Sequence, residues 1–297
     1  MIRHSSYASK RRSGFTLIEL LVVISIIAIL AGLTLAGVMY FLRKGPEVTA
    51  RNDIMQISTG LQNFKVAYGR YPPSQIRLRA NMQDYTTKRV DALDDASLAF
   101  LTTMFKSLPA VTNIAWAGAT PMPAGGIILE GDQCLVFFLG GPPIGGPQPG
   151  LQGGFSTNPV NPVDPATNRK NYMGFETGRL VNRSGSPFPS YADPFGSQQP
   201  YVYFSSSGFV ATPTGGRFGK NYDTTFFTGP ASVAPANSFG MKPYFTSPGK
   251  GYLPDLFQII SAGRDGQFGP GGAWTPGTST GGGADDLSNF YDKFHGN

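Results

Sequence analysis

The longest apolar run of the chain lies between Leu20 and Leu42, and no residue in it is charged. At 1.5 Å of helix rise per residue it makes roughly 35 Å, enough to cross the hydrocarbon core of a bilayer. Just beyond it, Gly45-Pro46 breaks the pattern. Ile54, Ile57, Leu61, Phe64 and Tyr68 then recur at helical spacing, which marks one apolar stripe. Gly69 and Pro72-Pro73 supply the stop. The pattern predicts one helix from Phe15 to about Tyr68, roughly 80 Å long and bent near Gly45-Pro46. Its first half suits lipid, and its second half offers one face to a head domain. Two separate helices with a linker are the alternative.

The head has a less regular pattern. Leu98, Leu101, Phe105 and Leu108 predict a short helix, capped by Asp94 or Asp95 and ended by Pro109. The run from Asp132 to Leu139 is apolar throughout and fits a buried helix or a core strand equally. Tyr201 to Phe204 and Leu256 to Ser261 read as strands. Residues 140–164 and 209–254 are rich in Gly, Pro and Asn and read as irregular excursions. The predicted fold class is α+β: a long N-terminal transmembrane-and-spine helix, then a small antiparallel-sheet head with large Gly/Pro-rich loops. The 39 glycines and 25 prolines among 297 residues are many, yet 40% of residues are hydrophobic, too apolar for a disordered chain.

Charge sharpens the N-terminus. Lys10, Arg11 and Arg12 precede the apolar run, the flank expected on the cytoplasmic side. Arg3 and these three supply four of the 24 basic residues; without them the chain is nearly balanced against its 18 acidic residues, so its charge is no sign of nucleic-acid binding. Glu19 is the anomaly. A carboxylate within a membrane helix costs on the order of 2.5–3.5 kcal/mol at the centre and less near an end, which makes it a functional candidate. An ordinary secretory signal has a shorter apolar region, and a plain anchor leaves Gly14-Phe15 and Glu19 unexplained.

Gly14-Phe15-Thr16-Leu17-Ile18-Glu19 followed by an apolar helix resembles the type III signal of type IV prepilins and type II secretion pseudopilins. Tyr68-Gly69-Arg70-Tyr71-Pro72, Asp193-Pro194-Phe195-Gly196 with Tyr201 to Phe204, and the segments 256–266 and 282–290 are similar to elements of the major (G-type) pseudopilins. The resemblance implies cleavage between Gly14 and Phe15 by a prepilin peptidase and N-methylation of Phe15. It also implies pairing of Glu19 with the N-terminal amine of a neighbouring subunit. The implied division is a leader over 1–14, a transmembrane helix over 15–42, its amphipathic continuation over 43–72 and a periplasmic pilin-like head over 73–297. The implied partners are the peptidase, copies of this chain, other pseudopilins and an inner-membrane secretion platform, with a single membrane pass. It further implies a calcium loop, with Asp265 as a ligand and Asp285 and Asp286 as less securely matched ones; Ca²⁺ favours such oxygen donors. Here the chain departs from the family: Pro270-Gly271-Gly272-Ala273 replaces acidic residues, and 273–280 has no counterpart. Asx-turn aspartates without a metal are the alternative.

Enzyme chemistry is not expected. The two histidines, His4 and His295, lie near the chain ends, so a Ser-His-Asp triad would have to recruit a tail residue. Gly215 to Asn221 falls short of a phosphate loop in spacing and lacks its Ser or Thr. Cys134 is the only cysteine and reads as a small core residue. Tyr191, Tyr201, Tyr203 and Phe204 read as strand packing, with a stacking surface as the alternative. A structural pseudopilus subunit is the expected function. A pilus or minor pilin subunit with a ligand- or DNA-binding head, and a membrane-tethered periplasmic binding or hydrolytic domain, are the competing readings.

Overall fold

A single helix, α1 (Leu17–Tyr68), carries both the apolar run and the stripe, with Pro46 inside it. The computed structural model describes residues 14–118, 120–145, 149–166, 168–183, 185–207, 209–210, 217–218, 239–247 and 250–297. Two units are distinguished, Met1–Pro46 and Glu47–Asn297. In the first, Leu17–Leu35 is long and apolar enough to span a membrane and is nowhere buried. Ser25 and Thr34 satisfy their hydroxyls on the backbone carbonyls of Leu21 and Ala31, at 2.7 and 3.0 Å, so neither brings an unpaired polar group to an apolar surface.

The second unit begins with the packed half of α1. Ala50, Ile54, Ile57, Leu61 and Phe64 are buried, the face that the sequence stripe marks. Gly60 allows the closest approach: a Cβ there would lie 3.1 Å from the Tyr172 carbonyl oxygen. Gly69, at φ +76°, terminates the helix and returns its N–H to the Lys65 carbonyl at 2.7 Å. Asp53 is buried on the same face. It accepts from Arg179 Nη2 at 2.6 Å and from the Tyr201 hydroxyl at 2.7 Å, and the Arg179 guanidinium lies 4.3 Å over the Tyr191 ring.

The run that fitted helix or strand is helical. After α2 (Asp84–Thr87) and α3 (Ala92–Met104), α4 (Gly131–Gly140) is buried on every side. A helix without a polar face has no period to read. Local chemistry decides instead: Glu130 and Gln133 form a reciprocal capping box at its start. A Cβ on Gly131 would meet the Tyr203 carbonyl oxygen at 1.9 Å, so glycine is needed where α4 crosses that strand. Cys134 is buried in this helix.

The cap expected for α3 is corrected. Asp91, not Asp94 or Asp95, caps it, accepting the Leu93 N–H at 2.9 Å, and the helix ends at Met104, before Leu108. Asp94 is withdrawn from capping because it is fully buried and carries two arginines, Arg77 at 2.7 Å and Arg79 at 2.6 Å. Asp95 pairs with Arg89 on the surface.

The head holds several small sheets rather than one. Phe257–Ser261 is the centre of a three-stranded antiparallel sheet, flanked by Val202–Ser205 and Leu287–Ser288. Gln75–Leu78 pairs antiparallel with Ile127–Glu130. Tyr244–Ser247 pairs antiparallel with Lys250–Gly251 and parallel with Gly272–Ala273. Two stretches read as irregular thus contain strands, because pairings of two to four residues leave no alternation to detect. Phe155–Ser156 pairs with Arg169–Lys170, and Phe209–Val210 with Arg217–Phe218. Most of the stretch 215–221 lies outside the described residues. Tyr191, Tyr201, Tyr203 and Phe204 are all buried, which removes the stacking-surface alternative.

Asp94→Ala leaves the fully buried Arg79 without its carboxylate, while Arg77 keeps Asp91, and loss of one partner of a buried pair costs about 3–5 kcal/mol. Denaturant unfolding of the head is expected to register that loss, while Asp95→Ala leaves the midpoint in place.

Candidate assembly site and acidic loop

Thr16-Leu17-Ile18-Glu19 forms a capping box at the start of α1. Glu19 Oε2 accepts the Thr16 N–H at 2.8 Å and the Thr16 hydroxyl at 2.9 Å, and the Glu19 N–H returns to Thr16 Oγ1 at 3.2 Å. The carboxylate therefore satisfies donors that the first helical turn would otherwise leave open. Glu19 is the only charged side chain between Gly14 and Leu42. Phe15 precedes the box and is 85% exposed. Gly14 lies outside any helix or strand, with no atom near enough to obstruct a side chain there. Residues 1–13 lie outside the described part. Thr16 was not singled out as a functional residue, although Thr-x-x-Glu before an apolar run is a readable capping signal.

The three aspartates expected in a calcium loop are found in two settings. Asp265 and Asp285 are neighbours. Asp285 Oδ2 accepts the N–H groups of Arg264 at 2.5 Å and Asp265 at 3.1 Å, while Asp265 Oδ1 accepts from Gln267 N at 2.8 Å. Burial first, and then the Asp285 carboxylate, raise the pKa of Asp265. Asp286 is fully buried; its Oδ2 accepts from Gly269 N at 3.0 Å and from the Tyr244 hydroxyl at 3.2 Å. Burial pushes its pKa up to about 7. Asp285 Oδ1 and Asp286 Oδ1 are buried and make no hydrogen bond. Donor chemistry of this kind suits calcium, but among the described residues no three acidic or histidine side chains converge on one point.

The same loop is fastened to α1. Arg264 Nη2 meets Glu47 at 3.3 Å, and its guanidinium lies 5.3 Å over the Phe294 ring. Arg51 meets Glu47 at 3.3 Å and donates to the Asp292 carbonyl at 2.5 Å. Sequence reading passed over this clasp because its contacts Arg264–Glu47 and Arg51–Asp292 each span more than two hundred residues.

His295 belongs to a second core. Its ring lies 4.4 Å from Trp274 and 4.9 Å from Tyr244, and burial lowers its pKa to about 4. Its Nε2 is 2.8 Å from Ser288 Oγ, but Nδ1 has no partner and the residue is fully buried. A serine nucleophile needs a carboxylate on that second nitrogen and a route for substrate, so this pair is a packing element.

Comparison with known proteins agrees with this arrangement. Residues 9–35 match the prokaryotic N-terminal methylation motif. The chain is 38% identical over 71 residues to the type II secretion system core protein G of Aeromonas hydrophila, covering 24% of this chain and 50% of that protein. It is 35% identical over 78 residues to the protein of the same name from Dickeya chrysanthemi, covering 26% and 51%. The Pseudomonas aeruginosa protein matches at 38% over 71 residues, covering 24% and 50%. The chain thus spans about half the length of the curated relatives it matches. No solved structure matches it. The chain carries a prepilin-type methylation motif. Over part of its length it is homologous to the core protein G pseudopilins.

Asp286 and His295 set opposite pH dependences. The folded head holds the Asp286 proton more tightly than the unfolded chain does, so that contribution is present at low pH and is lost as pH rises toward 7. The folded head resists protonation of His295, so that contribution is lost as pH falls from about 6.5 toward 4. Asp286→Asn is expected to leave the histidine effect unopposed. Denaturant midpoints of the variant should rise with pH between about 4 and 6.5 more steeply than those of the wild type.

Proposed function

We propose that the chain is a structural subunit of a type II secretion pseudopilus, cut between Gly14 and Phe15, methylated on Phe15 and polymerised through its N-terminal helix. The observation that carries this reading is an apolar helix, exposed along Leu17–Leu35, whose one ionisable group sits in its first turn. An anchor alone needs no carboxylate there. After cleavage the new amine lies on Phe15, adjacent to Thr16 and four residues before Glu19. A charged amine from a neighbouring copy can then replace the Thr16 donors on the carboxylate, which turns an internal cap into a subunit contact.

Several observations support this setting. The basic flank at Lys10, Arg11 and Arg12 favours a cytoplasmic N-terminus and so supports a head in the periplasm, outside an inner membrane. The relatives carry the name of a secretion-system core protein, which supports a platform and other pseudopilins as partners. His295, the one histidine among the described residues, is fully buried, which favours a mechanical role.

Calcium binding by the acidic loop is a second, separate proposal. The unpaired Oδ1 atoms of Asp285 and Asp286 favour it, with Asp265 beside Asp285 as the additional carboxylate. When bound, the ion would neutralise carboxylates that now repel one another.

Mass spectrometry of the mature protein is expected to find N-methylated Phe15 as the first residue; a chain still starting at Met1 would refute the processing. Glu19→Val should leave insertion and cleavage intact and abolish filaments. For the loop, millimolar calcium is expected to raise the head's melting temperature, and Asp265→Ala to reduce that rise. An unchanged melting temperature would count against the site.

A further inference from the structure

We propose that the head holds a binding site for a single carboxylate attached to an apolar body, in the cavity between Ile144 and Arg169. The cavity measures about 480 Å³, and small-molecule sites span roughly 300–1,000 Å³. It belongs to the head alone and is independent of filament assembly. Its walls come from a stretch whose sequence reads as irregular. Pro143 bridges Leu151, and the Ile144 N–H donates to the Gly150 carbonyl at 3.0 Å, which folds this excursion back on itself. Gly118, at φ +64°, lets that turn lie close, since a Cβ there would come within 2.6 Å of the Ile144 carbonyl oxygen. Gln152 Nε2 donates to the Pro143 carbonyl at 3.1 Å, which fixes its amide in the wall. Val163, only 7% exposed, lies deeper, whereas Ala115, Ile144 and Pro165 are exposed at the rim.

Arg169 is the one charged side chain among the described lining residues. Three carbonyls fix its guanidinium: Nη1 donates to Gly154 at 2.8 Å, and Nη2 to Val163 at 2.9 Å and Asp164 at 2.7 Å. No carboxylate among the described residues forms an ion pair with it. Asp164 gives it a backbone oxygen, while the Asp164 side chain accepts from Asn158 Nδ2 and the Ala166 N–H, each at 2.9 Å. Burial lowers the Arg169 pKa more than the Asp164 charge restores it. A partly buried, oriented cation thus faces a mostly apolar cavity without a direct counter-ion. An entering anion supplies one, through a charge-assisted hydrogen bond about twice as strong as a neutral one. One positive charge suits one negative charge; a dianion such as phosphate would leave a second charge unpaired beside Val163 and Ile144. The apolar rim takes the rest of the ligand. That combination occurs at a peptide chain end with an apolar last residue, and on a free aliphatic acid.

The test titrates the full chain in detergent, by calorimetry, with three soluble probes: N-acetylleucine, its carboxamide N-acetylleucinamide, and 4-methylpentanoate. N-acetylleucine is expected to bind, and the carboxamide to bind at least about tenfold more weakly for want of the charge. If 4-methylpentanoate binds as well as N-acetylleucine, free acids are the ligand class; if it binds much more weakly, the peptide chain end is. Arg169→Gln should abolish the preference for acid over carboxamide. Because Arg169 also holds three carbonyls, a rim variant separates binding from folding. Ile144→Glu places a carboxylate at an exposed position and is expected to weaken N-acetylleucine by at least about tenfold, with thermal melting unchanged. Ile144→Lys removes the same apolar contact and should lose less. The site is wrong if N-acetylleucine does not bind at about 10 mM, if the carboxamide binds equally, or if the two Ile144 variants act alike.

Discussion

The head depends on the burial of one face of α1, and Asp53 is the fixed point of that burial. A stripe of aliphatic and aromatic side chains supplies the driving force, but it could slide or rotate without great loss. The buried carboxylate cannot. It is matched by Arg179 and Tyr201, which come from separate segments of the head, so it sets the height and rotation of the helix within its groove. Arg179 in turn stacks on Tyr191 and donates to the Ala192 carbonyl, which extends the constraint into the neighbouring strands. Buried ion pairs add little net stability when weighed against an apolar replacement; here the pair supplies geometric definition.

A second buried cluster gives the other side of the head the same character. Arg77, Arg79 and Asp94 form it, Tyr85 accepts from the Arg79 N–H and donates to the Arg77 carbonyl, and Ser97 accepts from the Arg77 N–H. The strand Gln75–Leu78 therefore has its open edge closed by side chains rather than by another strand. Edges protected in this way are poor templates for unwanted strand pairing. Several carboxylates and arginines of the head are buried, and the exposed positions of α1 between 47 and 67 carry no charge.

Much of this was legible from residue order. The long apolar run, its basic flank and the stripe ending at Tyr68 define α1 to within two residues at its start, because both signals extend over many turns. The strands at 202–205 and 257–261 lie where aromatic and β-branched residues concentrate. The cap of α3 was misplaced because Asp91, Asp94 and Asp95 are equivalent in sequence; only the buried position of Arg77 and Arg79 distinguishes them. Strands of two residues left no pattern at all. At the acidic loop the aspartates were visible but not their separation into an outer pair and a buried third. That depends on Tyr244 and Gly269, whose proximity no local pattern encodes.

The clasp among Glu47, Arg51, Arg264 and Asp292 has a consequence for the order of synthesis. Asp53 waits for partners 126 and 148 residues downstream, and Arg51 for a carbonyl 241 residues downstream. Contacts of such long range form late and slowly. The anchoring helix leaves the ribosome first, long before its packed half has anything to pack against. The packed half of α1 therefore stays uncovered until the segments that carry Phe138, Tyr172 and Tyr201 have followed it, and a ribosome stalled short of them leaves an apolar stripe exposed to water.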